Sequence, residues 1–128
     1  NKKRDEEIER IGMEEAMKYE RNNGRTPEDV SGENLGFDIR SRDKNGKIRY
    51  IEVKARAGEG PVVLTTNEWL KAKRFREDYW LYVISNASTK PELYIIRNPY
   101  KNLKVKEKLE VVRFIVPWEE WKSKGARA

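Results

Sequence analysis

The chain contains neither cysteine nor histidine, and it has no glutamine. The lack of Cys excludes disulfides, a thiolate nucleophile, and Cys-ligated zinc or iron–sulfur sites. The lack of His excludes a Ser-His-Asp triad and His-ligated metals. Any acid–base or metal chemistry must therefore use carboxylates, lysine, tyrosine, hydroxyl groups or water. No apolar run approaches the roughly 18 residues of a membrane span, and no signal peptide is present, so we expect a cytoplasmic protein with no membrane partner.

Charged residues are abundant and their balance is basic. Lys and Arg number 28 against 22 Asp and Glu, which gives a net charge of +6 over 128 residues. This balance suits a polyanionic partner such as nucleic acid. The preference for Lys, Arg and Glu resembles hyperthermophile usage. The length predicts a single domain over residues 1–128, and because the chain begins at Asn1 rather than Met, we expect it to be a fragment of a larger protein.

The apolar periodicity predicts an α/β domain with a mixed, mainly antiparallel central sheet flanked by helices. Helices are predicted over 5–23, 65–77 and a short C-terminal stretch from 117. Strands are predicted around 29–31 and over 36–41, 48–54, 62–64, 78–85, 92–97 and 109–116. Thr65 and Glu68 fit a capping box at the start of the second helix.

The hairpin over residues 36–54 allows two registers. A two-residue loop at Asn45-Gly46 would pair Asp38 with Val53, whereas a three-residue loop with Gly46 in a left-handed bulge pairs Asp38 with Glu52. Only the bulged register makes both faces coherent. It puts four apolar side chains on one face: Phe37, Ile39, Ile51 and Val53. It puts the polar and charged set on the other: Asp38, Arg40, Tyr50, Glu52 and Lys54.

The polar face of this hairpin carries the chemistry. The bulged register brings Asp38 opposite Glu52 with Cβ atoms roughly 5 Å apart, and Lys54 follows on the same face. Two carboxylates that close repel each other, and a hard cation such as Mg²⁺ or Mn²⁺ relieves the repulsion while leaving positions open to a phosphate oxygen. A nearby lysine can orient the attacking water or offset phosphate charge. This suits phosphodiester hydrolysis; the alternative is a solvated sheet face with a cross-strand salt bridge.

Gly36-Phe37-Asp38-Ile39 followed by Ile51-Glu52-Val53-Lys54 resembles the motif of the PD-(D/E)XK nuclease superfamily. Over roughly residues 5 to 100 the chain is similar to the NO VEIN C-terminal-like family, which is classed as nuclease-like. The resemblance implies a restriction-endonuclease-like core, with Asp38 and Glu52 as metal ligands, the backbone carbonyl of Val53 as a further ligand, and Lys54 as the catalytic lysine. It also implies a parent protein with helicase-like or restriction and defence ATPase domains. The matching segments outside the hairpin are Tyr19-Glu20, Asp29-Val30-Ser31, Asn34, 64–69 and 79–83.

The first helix departs from the family pattern. Many relatives carry Glu directly after the helical glycine, where this chain has Met13 after Gly12. Glu9, one turn earlier, or Glu20, which matches the family, could complete the acidic site instead. The alternative is that both acids lie on the margins of the apolar arc and reach solvent.

Several basic and polar residues are candidates for nucleic-acid contacts, with DNA expected rather than RNA. They are Arg40, Arg42, Asn67, Lys71 and Arg74. The alternative for the charged members is a solubilising surface, and for Asn67 a role in the helix cap. Two rival functions stay open: a catalytically weakened nucleic-acid-binding or sensing module on the same fold, and a protein-interaction domain of an ATPase assembly.

Overall fold

A computed structural model describes residues 1–107 and 115–127 of the chain. Its helices and strands follow one another as α1 (Lys2–Asn22), β1 (Thr26–Asp29), β2 (Ile39–Arg42), β3 (Ile48–Ala55), α2 (Thr66–Phe75), β4 (Tyr79–Ser85), β5 (Glu92–Arg97), α3 (Pro99–Asn102) and α4 (Trp118–Lys124). Short 3₁₀ turns lie at Ser31–Glu33 and Arg76–Asp78. Among the described residues, none of the helices combines the length and the apolar character needed to cross a membrane.

The described strands form one five-stranded sheet in the order β1-β2-β3-β4-β5. Neighbouring strands are antiparallel except β3 and β4, which run parallel. A parallel pair needs a crossover connection, and α2 lies within it. The prediction of an α/β fold with a mixed, mainly antiparallel sheet and flanking helices is therefore confirmed.

The hairpin between β2 and β3 has the bulged register. Ile39 lies opposite Ile51, Asp43 donates its N–H to the Lys47 carbonyl at 2.9 Å, and Gly46 has φ +84°. The predicted side of Phe37 is wrong, because Phe37 precedes β2 and escapes the strand alternation. Its ring lies 5.0 Å from that of Tyr50, on the opposite face from Ile39.

The two faces of the sheet are covered by different helices. α1 buries Ala16 against Ile39, Ile51 and Tyr82 on one face. Gly12 lies so close to β3 that a Cβ at this position would stand 2.7 Å from the Cβ of Ala55. The described contacts therefore fix α1 directly over β3, with little space between helix and strand.

The other face is covered by α2. Its buried residue, Ala72, packs with Tyr79, Phe37 and Val30. The predicted capping box is confirmed: Thr65 Oγ1 accepts the Glu68 N–H at 3.2 Å and a Glu68 carboxylate oxygen accepts the Thr65 N–H at 2.8 Å. The helix ends at Phe75, earlier than predicted, because Arg76 has φ +47° and turns the chain out of the helix.

Three predicted strands differ from the structure, those at 29–31, 36–41 and 62–64, and the second of them is Ile39–Arg42. The first strand is Thr26–Asp29 rather than 29–31. Residues 62–64 form no strand, because they lie in the crossover between β3 and β4, which already pair with each other. The predicted strand 109–116 lies largely outside the described residues, and residues 115–116 are not in a strand.

Candidate metal centre

Asp38 and Glu52 meet at the point where β2 and β3 begin to pair. Asp38 stands just before β2, and its Oδ2 accepts the Val53 N–H at 2.9 Å. Glu52 lies in β3 with only 2% of its surface exposed. Both side chains line one cavity of about 420 Å³, which we call the carboxylate cavity. The structure therefore brings Asp38 and Glu52 together, as the register predicted from the sequence requires.

Lys54 lies in the same cavity, two residues beyond Glu52 on β3. Its Nζ is 3.4 Å from Glu52 Oε2 and 2.9 Å from Glu68 Oε1. Glu68 comes from the first turn of α2, and the same Oε1 also accepts the Thr65 N–H. The cap of α2 thus fixes a third carboxylate beside the lysine.

The charges in the carboxylate cavity are unbalanced. Among the described residues, its lining holds one ammonium, that of Lys54, and four carboxylates: those of Asp38, Glu52, Glu68 and Glu9. Burial, together with the nearby Asp38 and Glu68 carboxylates, raises the pKa of Glu52 to about 10. Burial also raises the pKa of Asp38, although the Val53 N–H partly offsets it. A cation placed between these acids would favour their ionised forms and so oppose the effects of burial and repulsion on both pKa values.

The lysine and the third carboxylate respond in the opposite sense. Burial opposes the charge on Lys54, but its contacts with Glu68 and Glu52 outweigh that cost and raise the Lys54 pKa. Burial likewise opposes the charge on Glu68, while Lys54 and the Thr65 N–H outweigh it and lower the Glu68 pKa. Lys54 and Glu68 therefore form a charged pair at neutral pH.

The donor set fits a hard divalent cation. Within residues 1–107 and 115–127, no three acidic side chains are already arranged as a closed metal-binding group. Mg²⁺ needs fewer, since it is commonly held by one or two carboxylates and several waters. Asp38 and Glu52 would supply those carboxylates to a bound cation. The Val53 carbonyl lies on the Asp38 side of β3, because the N–H and C=O of one strand residue point the same way.

The structure separates the two acids of α1 that were candidates to complete the site. Glu9 lines the carboxylate cavity together with Met13. Glu20 does not: it is fully buried elsewhere, where it pairs with Arg25 at 2.7 Å and accepts the Tyr82 O–H at 2.6 Å. Glu20 is thus held by its own partners, and Glu9 is the acid of α1 that can reach a cation in the cavity.

The five candidate nucleic-acid contacts lie outside the lining of the carboxylate cavity. Arg40 pairs with Glu28 at 3.1 Å, and its guanidinium lies 5.8 Å from the Phe37 ring centroid. Lys71 is half-buried, with its Nζ 5.5 Å from the centroid of Phe75. The remaining three are exposed: Arg42, Asn67 and Arg74.

Glu68 is the site residue that the sequence argument missed. The capping box alone explains why Glu68 stands at this position. The sequence therefore gives no separate indication of its second contact, with Lys54. The one available signal was that Asn67-Glu68 matches the family resemblance beside the hairpin motif.

The comparisons with known proteins support the resemblance at the family level. The family model described as "Protein NO VEIN, C-terminal" matches residues 8–96, a span that includes all the residues of the carboxylate cavity. A search of curated proteins found no match, and neither did a search of solved structures.

Proposed function

The chain belongs to the NO VEIN C-terminal family, and from that premise and the carboxylate cavity we propose that it is a metal-dependent nuclease-like domain that binds nucleic acid, DNA rather than RNA, and hydrolyses its phosphodiester bonds. The observation that carries the proposal is the convergence of Asp38, Glu52 and Lys54 on one cavity. Fold alone does not define function, so the proposal stands on these side chains.

We further propose that the domain has a PD-(D/E)XK core. Its support is the order of elements: α1, the antiparallel strands β1 to β3, the crossover helix α2, and β4 parallel to β3. The acidic residues sit where β2 and β3 begin to pair, and the lysine follows on β3.

The residues have distinct roles in this proposal. Asp38 and Glu52, with the Val53 carbonyl, would hold Mg²⁺ or Mn²⁺, and the cation would supply a Lewis acid for a phosphate oxygen. Hydrolysis joins a water oxygen to phosphorus, breaks a P–O ester bond and gives a proton to the leaving oxygen. Lys54 is a cation at neutral pH, so it donates to the phosphate or the water and offsets negative charge. Glu68 is a positioning residue that holds the Lys54 ammonium.

The experiment incubates single- and double-stranded DNA and RNA with the protein, with and without Mn²⁺. Glu52→Gln removes one ligand charge with little change in shape, and Lys54→Met removes the ammonium. Glu6→Gln, at an exposed position on α1, is the matched control. We expect Mn²⁺-dependent cleavage by the unmodified protein and the control, and at least a hundredfold loss in both site variants, within the range of single catalytic groups. Cleavage that persists in Glu52→Gln would contradict the proposal.

A second candidate is a nucleic-acid-binding or sensing module with weakened catalysis. The observation that favours it is Met13, which occupies the lining of the carboxylate cavity where many relatives carry an acid. Salt-sensitive binding without cleavage in the same experiment would select this function. Either function is compatible with a larger helicase-linked or defence ATPase protein, which we propose as its context.

A further inference from the structure

A second cavity lies on the α1 face of the sheet. It has a volume of about 300 Å³ and includes four cationic side chains in its lining: Arg25, Lys47, Arg49 and Arg97. We call it the basic cavity. Arg49 precedes Glu52 by three positions in β3, so the two side chains point to opposite faces and are separated by about 10 Å along the strand. The basic cavity is therefore separate from the carboxylate cavity.

Arg49 is the central cation of the basic cavity. Its guanidinium carbon lies 3.7 Å from the centroid of the Trp80 ring, and its Nη1 donates to the Tyr82 hydroxyl at 3.0 Å. Both partners are neutral. In the part of the chain that the structure describes, no carboxylate lies within ion-pair distance of Arg49. Its charge is held in a fixed orientation and is not neutralised by these contacts.

A buried network fixes that orientation. Glu20 accepts two hydrogen bonds from Arg25, at 2.7 and 2.9 Å, and one from the Tyr82 hydroxyl at 2.6 Å. Tyr82 can then offer only its lone pairs to Arg49. The carboxylate of Glu20 thus neutralises Arg25 and orients the hydroxyl that holds Arg49.

Where the structure describes the chain, the lining of the basic cavity holds four cationic side chains and one carboxylate, Asp43, and every cation except Arg49 has a carboxylate partner outside the lining. Lys47 is 3.9 Å from Asp78, and both side chains are at least half exposed. Arg97 Nε is 3.5 Å from a Glu77 carboxylate oxygen at the exposed rim. The lining carboxylate, Asp43, accepts the Asn45 and Lys47 N–H groups of the hairpin turn at 2.8 and 2.9 Å.

We propose that the basic cavity binds a phosphate group, with Arg49 as the principal contact and Lys47 as a second one. A guanidinium held in place matches the oxygens of a phosphate, and a volume of about 300 Å³ is at the small end of ligand sites. The Arg49 guanidinium lies 3.7 Å from the Trp80 ring centroid, so it occupies the ring face on which a nucleic-acid base would otherwise stack. The phosphate can come from a nucleic-acid strand or from a free phosphorylated compound. This inference does not rest on cleavage at the carboxylate cavity.

The test follows the Trp80 indole N–H by NMR while the full chain is titrated with inorganic phosphate, thymidine 5′-monophosphate or a twelve-nucleotide single-stranded DNA. Trp80→Phe assigns the resonance. Arg49→Met removes the charge but keeps an apolar stem on Trp80, and Arg4→Met, at an exposed position on α1, is the matched control. We expect a saturable shift that is weakened about tenfold in Arg49→Met, the effect of losing one charge-assisted hydrogen bond. The control should titrate as the unmodified protein does.

A second variant protects the test against misfolding. If the NMR spectrum of Arg49→Met no longer shows the dispersion of a folded protein, Lys47→Met tests the proposal instead. Lys47 is exposed and has no part in the core. We expect it to weaken phosphate binding about threefold, and unchanged binding would overturn the proposal. A shift with DNA identifies the nucleic-acid backbone as the source, and a shift with phosphate or nucleotide alone identifies a free compound. No shift with any of the three, or an equal shift with sodium chloride at matched ionic strength, overturns the proposal.

Discussion

Replacing Glu52 by Gln should make the metal-free protein more stable at neutral pH. Burial and two neighbouring carboxylates raise the pKa of Glu52 from 4.5 to about 10. The folded state therefore retains a proton on this side chain at pH 7 that the unfolded chain has released. Glutamine keeps the shape of the protonated acid and has no proton to take up. The buried Glu52 would thus lower the free energy of unfolding of the metal-free protein at neutral pH.

The size of this cost follows from the pH range. Each pH unit above 4.5 removes about 1.4 kcal/mol from the free energy of unfolding until the folded-state pKa is reached. At pH 7 the Glu52 contribution is therefore of the order of 3 kcal/mol, about a fifth or more of the stability of a typical domain. Because Glu52 and Asp38 titrate as a coupled pair, part of this effect belongs to Asp38. We therefore expect the free energy of unfolding of Glu52→Gln to exceed that of the unmodified protein by about 1–3 kcal/mol.

The sign of the pH dependence is fixed by the direction of the pKa shift. An acid whose pKa is raised in the folded state contributes full stability below pH 4.5 and loses it progressively toward pH 10. The difference in stability between Glu52→Gln and the unmodified protein should therefore be small at pH 4.5 and grow toward pH 8.

Urea denaturation in the presence of EDTA at pH 4.5, 6, 7 and 8 measures this difference. Glu6→Gln, an exposed substitution of the same kind, should follow the unmodified protein at every pH. A difference between Glu52→Gln and the unmodified protein that does not change with pH would refute the reasoning. A variant less stable than the unmodified protein at pH 8 would refute it as well.

Three further substitutions test the packing around the two cavities, each by urea denaturation. Gly12→Ala should destabilise the protein by about 1–3 kcal/mol, because the new Cβ would stand 2.7 Å from that of Ala55; Gly32→Ala, which meets nothing within 4 Å, should change stability by well under that amount. Glu20→Ala should cost about 3 kcal/mol, since it leaves Arg25, whose side chain is 13% exposed, without its buried partner. An effect below about 1 kcal/mol would contradict that role of Glu20. Thr65→Ala should cost about 1 kcal/mol through the lost cap of α2, and Thr65→Ser should restore most of it.

The hairpin that carries the site was predictable from the alternation of side chains along its two strands. The turn at Asn45-Gly46 allows two registers, and only the bulged one separates the apolar set from the charged set, so the sequence alone could pair Asp38 with Glu52. Phe37 was placed wrongly because it stands before the strand, where alternation no longer applies. The apolar run at 62–64 looks like a strand locally, but it lies in the crossover between two strands that already pair with each other.

The completion of the site depended on tertiary packing that the sequence does not encode locally. Glu9 and Glu20 share one arc of α1 but are about 16 Å apart along the helix axis. Periodicity cannot say which end of that arc overlies the hairpin, and the structure assigns it to Glu9. The role of Glu68 and the basic cavity were not predicted for the same reason. Each depends on contacts between elements that are distant in the chain: Lys54 with Glu68 of α2, and Arg49 with Trp80.

The most direct test of the central claim is a calorimetric titration of the metal-free protein with Mn²⁺ at pH 7.5. The account predicts saturable binding of one cation, lost in both Asp38→Asn and Glu52→Gln and retained in Lys54→Met and Glu6→Gln. Mn²⁺ binding that is absent from the unmodified protein, or that survives in Asp38→Asn and Glu52→Gln, would contradict it.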